Sequence, residues 1–286
     1  MTDPQQTVLH GAVLFTPSDR PERFVKGWEA SAGRLILDLE DSVAPVRKPV
    51  AREAVKGWIL ATGKLPLLRV NGADSAQQED DRSVLGGLPV AGIIVSKVNA
   101  PSDLDAVRAA WPGAALFPLI EAPQGLEAAI EIARASGVRQ LLLGALDLHA
   151  ECGIVYPNPA LLAHARLRLV MTSRIARLEP PIDSPHPGVR DHDGVMSDAR
   201  AAVQLGFAGK LCIHPGQIPC VLEAFRPSEE QLAWAREVIA AAAGGAAVQV
   251  RGQMVDAPVL ASALNMLARA EVGRSSSNVS HYPNDT

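Results

Sequence analysis

Short apolar runs alternate along most of the chain with longer segments whose apolar residues fall at helical spacing. The runs cover residues 8–15, 34–40, 65–70, 91–96, 114–121, 140–147, 178–183 and 210–213, the seventh interrupted by Pro180 and Pro181. Runs this apolar read as strands covered on both faces, as in a parallel sheet. Between them the spacing predicts helices over 20–30, 48–61, 77–88, from Pro101 onward, and over 124–136, 159–176 and 195–205. Pro21 sits where a helix start tolerates it, and Gly137 and Gly206 stand where helices end.

Eight strands with helices between them, at a period of about 25 to 35 residues, predict an α/β protein built as a (β/α)8 TIM barrel. Right-handed crossovers would close the sheet. A doubly wound sheet would carry a glycine-rich fingerprint after its first strand, and this chain has none. The barrel is expected over residues 1–226. Ser228-Glu-Glu-Gln231 then forms a capping box that opens a helix to Ala242, broken by Gly244-Gly245. An extended piece at 248–255 follows, and Asp256-Ala-Pro opens a final helix to Ala270. Residues 227–272 are expected to form a C-terminal helical extension, and the polar, serine-rich 273–286 a disordered tail.

Charged residues fall at the strand C-termini: Glu40, Arg69, Lys97, Glu121, Asp147, Asp183 and His214. That face is where barrels carry their active sites, although buried ion pairs closing the barrel top would give the same pattern. Glu121 and Asp147 end neighbouring apolar runs, where an unpaired charge is costly, so the two acids suggest oxygens aimed at one cation. With no His or Cys beside them, Mg2+ suits them better than Zn2+, and its open positions could chelate a 2-oxo or 2-hydroxy acid. For either acid alone, capping the following helix is the simpler role.

Arg69 could bind a carboxylate bidentately, stabilise an enolate oxygen, or pair with Glu40 or Asp41. Lys97 could form a Schiff base, but beside Asn99 and Pro101 a solvated or phosphate-binding lysine fits better. His149 lacks a second histidine at zinc spacing. His186 and His192, flanked by Asp191 and Asp193, read as a polar loop more than as a second metal site.

The chain has 286 residues, 48% hydrophobic and 20% charged, enough for one large core with a small appendage. A net charge of −4 argues against a nucleic-acid surface. Cys152, Cys212 and Cys220 lack C-x-x-C spacing and read as reduced thiols. The N-terminus shows no basic and apolar leader, and no run approaches the ~20 apolar residues of a membrane span. A soluble, cytoplasmic protein is expected.

An ordered set of segments resembles a known family. These are residues 14–24, 36–43, 68–71, 119–121, 144–148, 182–183, Lys210-Leu-Cys-Ile-His-Pro-Gly-Gln-Ile218 and 252–259. Together they span about residues 8–270 and are similar to the citrate lyase β-subunit-like (CitE-like) proteins of the HpcH/HpaI aldolase/citrate lyase family, related to malyl-CoA and citramalyl-CoA lyases. The resemblance implies a Mg2+-dependent lyase that splits a 3-hydroxyacyl thioester into an acetyl thioester and a 2-oxo acid. It implies Glu121 and Asp147 as metal ligands, Arg69 as the substrate-binding arginine, and Phe15, Arg20 and Lys26 as contacts to coenzyme A. Asp256 matches a C-terminal catalytic acid supplied by a neighbouring subunit, so a homotrimer or hexamer is implied.

The chain departs from the family pattern at Leu146, where Glu is usual, at Glu121-Ala-Pro-Gln124, where Glu-Thr is usual, and at Gly188, where an acid is common. The same scaffold could also hydrolyse a malyl thioester, serve a citrate lyase complex on an acyl carrier protein, or bind its ligand without catalysis.

Overall fold

The computed structural model describes residues 7–242 and 248–276. Eight parallel strands close into a barrel in sequence order: β1 (Gly11–Pro17), β2 (Leu35–Asp38), β3 (Leu67–Val70), β4 (Gly92–Val95), β5 (Leu116–Ile120), β6 (Leu142–Leu143), β7 (Ile182–Asp183) and β8 (Gly209–Cys212). β8 pairs back onto β1, which makes the (β/α)8 barrel of the sequence pattern.

Alternation along each strand sorts residues between the lumen and the helix layer. Val13, Ile36, Leu67, Ile94, Phe117, Leu142, Ile182 and Leu211 fill the lumen as one apolar cluster. Phe117 reaches across β4, where a Cβ on Gly92 would stand 2.4 Å from its ring, so only glycine fits there. Outward-facing Leu35, Leu37, Leu68, Ile93 and Leu116 are fully buried beneath the helices. Both strand faces are therefore apolar, which is why the runs read as unbroken.

Two strands are shorter than the runs that announced them. Of residues 140–147, only Leu142 and Leu143 pair as strand; Gly144 turns the chain and Ala145–Glu151 is helix. Asp147 thus stands in a helix's first turn, not at a strand end. Leu141–Leu143 flows into Ala145 and Leu148, both buried on that helix, and an apolar run alone cannot separate the two periods. In the seventh run Pro180 and Pro181 have no N–H to give, so the ladder begins at Ile182. Gln140 makes good part of the loss: its buried side chain accepts from Leu9 N at 2.6 Å and donates to Leu9 O at 2.9 Å and Pro180 O at 2.8 Å.

The chain divides into two compact units, residues 1–221 and 222–286. In the second, Ser228 and Gln231 exchange the reciprocal bonds of a capping box at the start of helix Glu229–Ala242. The extended piece is a hairpin of β9 (Val248–Val250) and β10 (Gln253–Val255), turned by Arg251 and Gly252, both at positive φ. Helix Glu229–Ala242 packs on helix Ala257–Ser276 around Ala235, Val238, Val250 and Ala263. That last helix runs to Ser276, past Gly273 where a disordered tail was expected to begin; a single glycine costs a helix only about 1 kcal/mol. Gly244-Gly245 and residues 277–286 lie outside the described residues. Among the described residues no helix is long and apolar enough to cross a membrane.

Candidate active site at the barrel mouth

Following the inward-facing positions up β2, β3 and β5, the lumen turns from apolar to charged. Ile36 gives way to Asp38 on β2, Leu67 to Arg69 on β3, and Leu119 to Glu121 just past β5. Neighbouring registers then set Asp38 beside Arg69. Arg69 donates from Nε to Asp38 Oδ1 and from Nη2 to Asp38 Oδ2, both at 2.6 Å. Its Nη1 lies 3.2 Å from Glu40 Oε2 and 3.8 Å from Asp41 Oδ2. The guanidinium lies over Phe15, its Cζ 4.6 Å from the ring centre. Burial alone would raise the Asp38 carboxyl, but the Arg69 charge and hydrogen bonds outweigh it and hold it below the usual carboxylate range.

Lys97 leaves β4 and adds a second cation, its Nζ 3.1 Å from Glu40 Oε1. Glu40 nevertheless carries a raised carboxyl, at about 7: burial and the adjacent Asp41 push it up against the pull of Arg69 and Lys97. From beneath, Lys48 Nζ donates to Leu39 O, Glu40 O and Asn71 Oδ1, fixing the backbone that presents Glu40.

Glu121 is 2% exposed. Its Oε1 accepts from Lys97 N at 2.7 Å, and its Oε2 lies against Gly144, where an added Cβ would come within 2.6 Å. Burial first, and the Asp147 charge second, push the Glu121 carboxyl well above the usual range. Carboxylates outnumber cations in this part of the mouth, a donor set that suits a hard divalent ion. Among the described residues no three His, Cys, Asp or Glu side chains are grouped to hold a metal, and Glu121 with Asp147 forms a pair of acids only.

The helix that carries Asp147 is pinned from the side. His149 is buried, donates from Nδ1 to Ala145 O at 2.6 Å and accepts at Nε2 from Asn158 N at 3.1 Å, with Tyr156 edge-on at 4.9 Å. Those two bonds set its tautomer and leave it a structural histidine. Ser184 Oγ, after β7, accepts from Ala145 N and anchors the same turn.

Asp183 does not join the mouth. Alternation puts Ile182 in the lumen and so turns Asp183 toward the helix layer, fully buried. There it takes both forks of Arg166 at 2.9 Å and Lys210 Nζ at 2.6 Å, while Asp198 closes the network at 2.7 Å and 3.0 Å. His214 is exposed and merely accepts from Gly216 N. His186 pairs with Asp191 and Asp198 in a polar loop.

Arg20 and Lys26 are exposed on the segment after β1, Arg20 beside Asp19 and Lys26 on helix Phe24–Ala30. Phe15 is half-buried beneath Arg69. In the second unit Asp256 is exposed and caps the last helix, accepting from Val259 N at 3.1 Å. The sequence reading missed Asp38 as the principal partner of Arg69, the Lys97 amide as a donor to Glu121, and Gly144 as the surface on which Glu121 lies. Asp38 was within reach, since it shares the two-residue period of Ile36 and Glu40.

Comparison with known proteins agrees with the barrel fold. The family model described as HpcH/HpaI aldolase/citrate lyase matches residues 11–215. A citrate lyase subunit beta-like protein of Mycobacterium tuberculosis is 37% identical over 265 residues, covering 90% of this chain and 94% of that one. The L-malyl-CoA/beta-methylmalyl-CoA lyase of Rhodobacter capsulatus is 31% identical over 311 residues, covering 95% and 98%. Among solved structures, the CitE protein of Mycobacterium tuberculosis in complex with magnesium, acetoacetate and coenzyme A superposes with a TM-score of 0.81 at 36% identity, covering 92% of this chain and 98% of that one.

Proposed function

The chain belongs to the HpcH/HpaI aldolase/citrate lyase family, and from that premise we propose that it is a Mg2+-dependent carbon–carbon lyase acting on a 3-hydroxyacyl-CoA thioester. Citramalyl-CoA, malyl-CoA or citryl-CoA would yield acetyl-CoA and a 2-oxo acid. The observation that carries this reading is Glu121, a buried carboxyl pushed up by burial and by Asp147 in a mouth where carboxylates outnumber cations. The relative solved with magnesium, acetoacetate and coenzyme A supports the same ligand classes here.

Magnesium held by Glu121 and Asp147 would supply Lewis acidity toward the hydroxyl and carboxylate of the substrate. The chain's own groups do the rest. Arg69, fixed by Asp38 and Phe15, binds the acid end and stabilises oxyanion charge as the carbon–carbon bond breaks. Phe15, Arg20 and Lys26 take the coenzyme A side. Asp256, supplied by a neighbouring subunit of a homotrimer or hexamer, protonates the enolate carbon, and acts as the base in the condensing direction. We place the protein in the cytoplasm, where thiols such as those of Cys152, Cys212 and Cys220 stay reduced.

The test is a cleavage assay on malyl-, citramalyl- and citryl-CoA with and without Mg2+, following acetyl-CoA, free CoA and keto acid separately. Keto acid with acetyl-CoA is expected. Free CoA as the sole thiol product would instead support thioester hydrolysis. Turnover confined to an acyl carrier protein-bound citryl thioester would support a citrate lyase subunit. Glu121→Ala and Asp147→Ala should each remove the Mg2+ stimulation, and its survival would refute the ligand assignment.

A further inference from the structure

Beyond β4 the chain enters Lys97 with φ at 54°, the left-handed region that a residue with a Cβ rarely adopts. Such a conformation persists only where its surroundings over-determine it, and it gathers at functional sites. Its main chain and its side chain both hold it here. The Lys97 N–H donates to Glu121 Oε1 at 2.7 Å, and Lys97 Nζ lies 3.1 Å from Glu40 Oε1 and 3.9 Å from Asp41 Oδ1. One residue therefore touches three acids of the mouth, Glu121 through its main chain and Glu40 and Asp41 through its side chain.

Main chain and side chain do different work. A backbone N–H is a fixed, uncharged donor, so it occupies one Glu121 oxygen without setting a competing cation beside it, and it leaves Oε2 for a ligand. The ammonium shares Glu40 with Arg69, whose Nη1 faces the other Glu40 oxygen at 3.2 Å. With Lys97 in place, less of the Arg69 charge is cancelled by Glu40, and more of it reaches an incoming carboxylate.

We propose that Lys97 is a positioning residue with two separable roles: its left-handed main chain aims Glu121 at the cation, and its ammonium shares Glu40 with Arg69, so that more of the Arg69 charge is left for the acid. The proposal rests on the reading of Glu121 and Asp147 as the magnesium site and of Arg69 as the acid-binding cation.

The test titrates Mn2+ by electron paramagnetic resonance and pyruvate by calorimetry on the Mn2+-loaded protein. Lys97→Met removes the ammonium and keeps an unbranched side chain that tolerates the same φ. Lys97→Val places a β-branched side chain at positive φ and displaces the amide. Lys97→Arg restores the charge. Mn2+ affinity should stay within about twofold of wild type in the Met and Arg variants and fall about tenfold in the Val variant, the scale of lost outer-shell contacts. Pyruvate affinity should fall about tenfold in Lys97→Met and recover in Lys97→Arg. If Lys97→Val does not fold, Lys97→Thr carries the same arm.

Equal Mn2+ binding by the β-branched and Met variants would overturn the main-chain role. Pyruvate binding unchanged in Lys97→Met, or not rescued by Lys97→Arg, would overturn the ammonium role. Wild-type protein that binds no Mn2+, or binds it equally well after Glu121→Ala, would bring down the magnesium reading itself and this inference with it.

Discussion

Arg69 is worth following alone, because its burial makes every partner count. Asp38 takes two of its N–H groups and sits 1% exposed at the base of the site. Asp38→Ala should cost about 3 kcal/mol of stability, read from the urea midpoint, because a buried guanidinium loses its main counter-charge. Gly144 governs the opposite side. Gly144→Ala would push a methyl into Glu121, costing about 1–3 kcal/mol by overpacking, and should weaken Mg2+ binding while distant substitutions do not. At Asp256 the cap and the proposed acid separate cleanly. Asn caps a helix as well as Asp, so Asp256→Asn should leave the melting temperature unchanged and abolish turnover; unchanged turnover would remove Asp256 from the mechanism.

Among the elements, the strands that were easy to read are those buried on both faces at full length, such as β3, β4 and β5. β6 and β7 were over-read because an apolar run keeps no record of where pairing stops. Gly144 and the Pro180-Pro181 pair decide that, through backbone geometry and missing donors. The side chain that compensates, Gln140, could not be recognised in sequence, since its partners lie 131 and 40 residues away. Gln140→Ala should cost about 2–4 kcal/mol in a denaturant melt, because it strips buried groups of Leu9 and Pro180 of their partners. The Arg166–Asp183–Lys210–Asp198 network was equally hidden. Its members read as an ordinary helix arginine, a mouth acid, a strand lysine and a helix acid until the barrel closes and alternation turns Asp183 and Lys210 out to meet Arg166 and Asp198 on the helices.

For the whole molecule, charge decides how stability follows pH. His10 is pushed down to about 4 by burial and by Arg34, so protonation favours the unfolded chain, and stability falls as pH drops from 6.5 toward 4. Glu40 at about 7 works the other way: the folded form holds the extra proton, and stability falls as pH rises from 4.5 toward 7. The two slopes oppose each other over the shared interval. Glu40→Gln should therefore leave a melting temperature that climbs from pH 5 to 6.5, and His10→Gln one that descends. Below pH 4 Asp198, held down to about 2 against its burial by Lys210 and Arg166, adds a loss that neither variant relieves. At this scale the sequence disclosed the barrel and most of the charged mouth. It withheld the pairing inside that mouth, because which cation an acid meets depends on the register between strands and not on its neighbours in the chain.

Asp147 stands on a turn, and that turn is clasped by His149 to the segment ending at Asn158. An ion drawing on Asp147 therefore pulls on more than one carboxylate. Filling the site should quieten the whole span from Ala145 to Asn158, visible as slowed amide deuterium uptake there and not on the far side of the barrel at β2. Capture of the ion would then serve as a latch, converting binding energy into rigidity along one edge of the mouth before any substrate arrives.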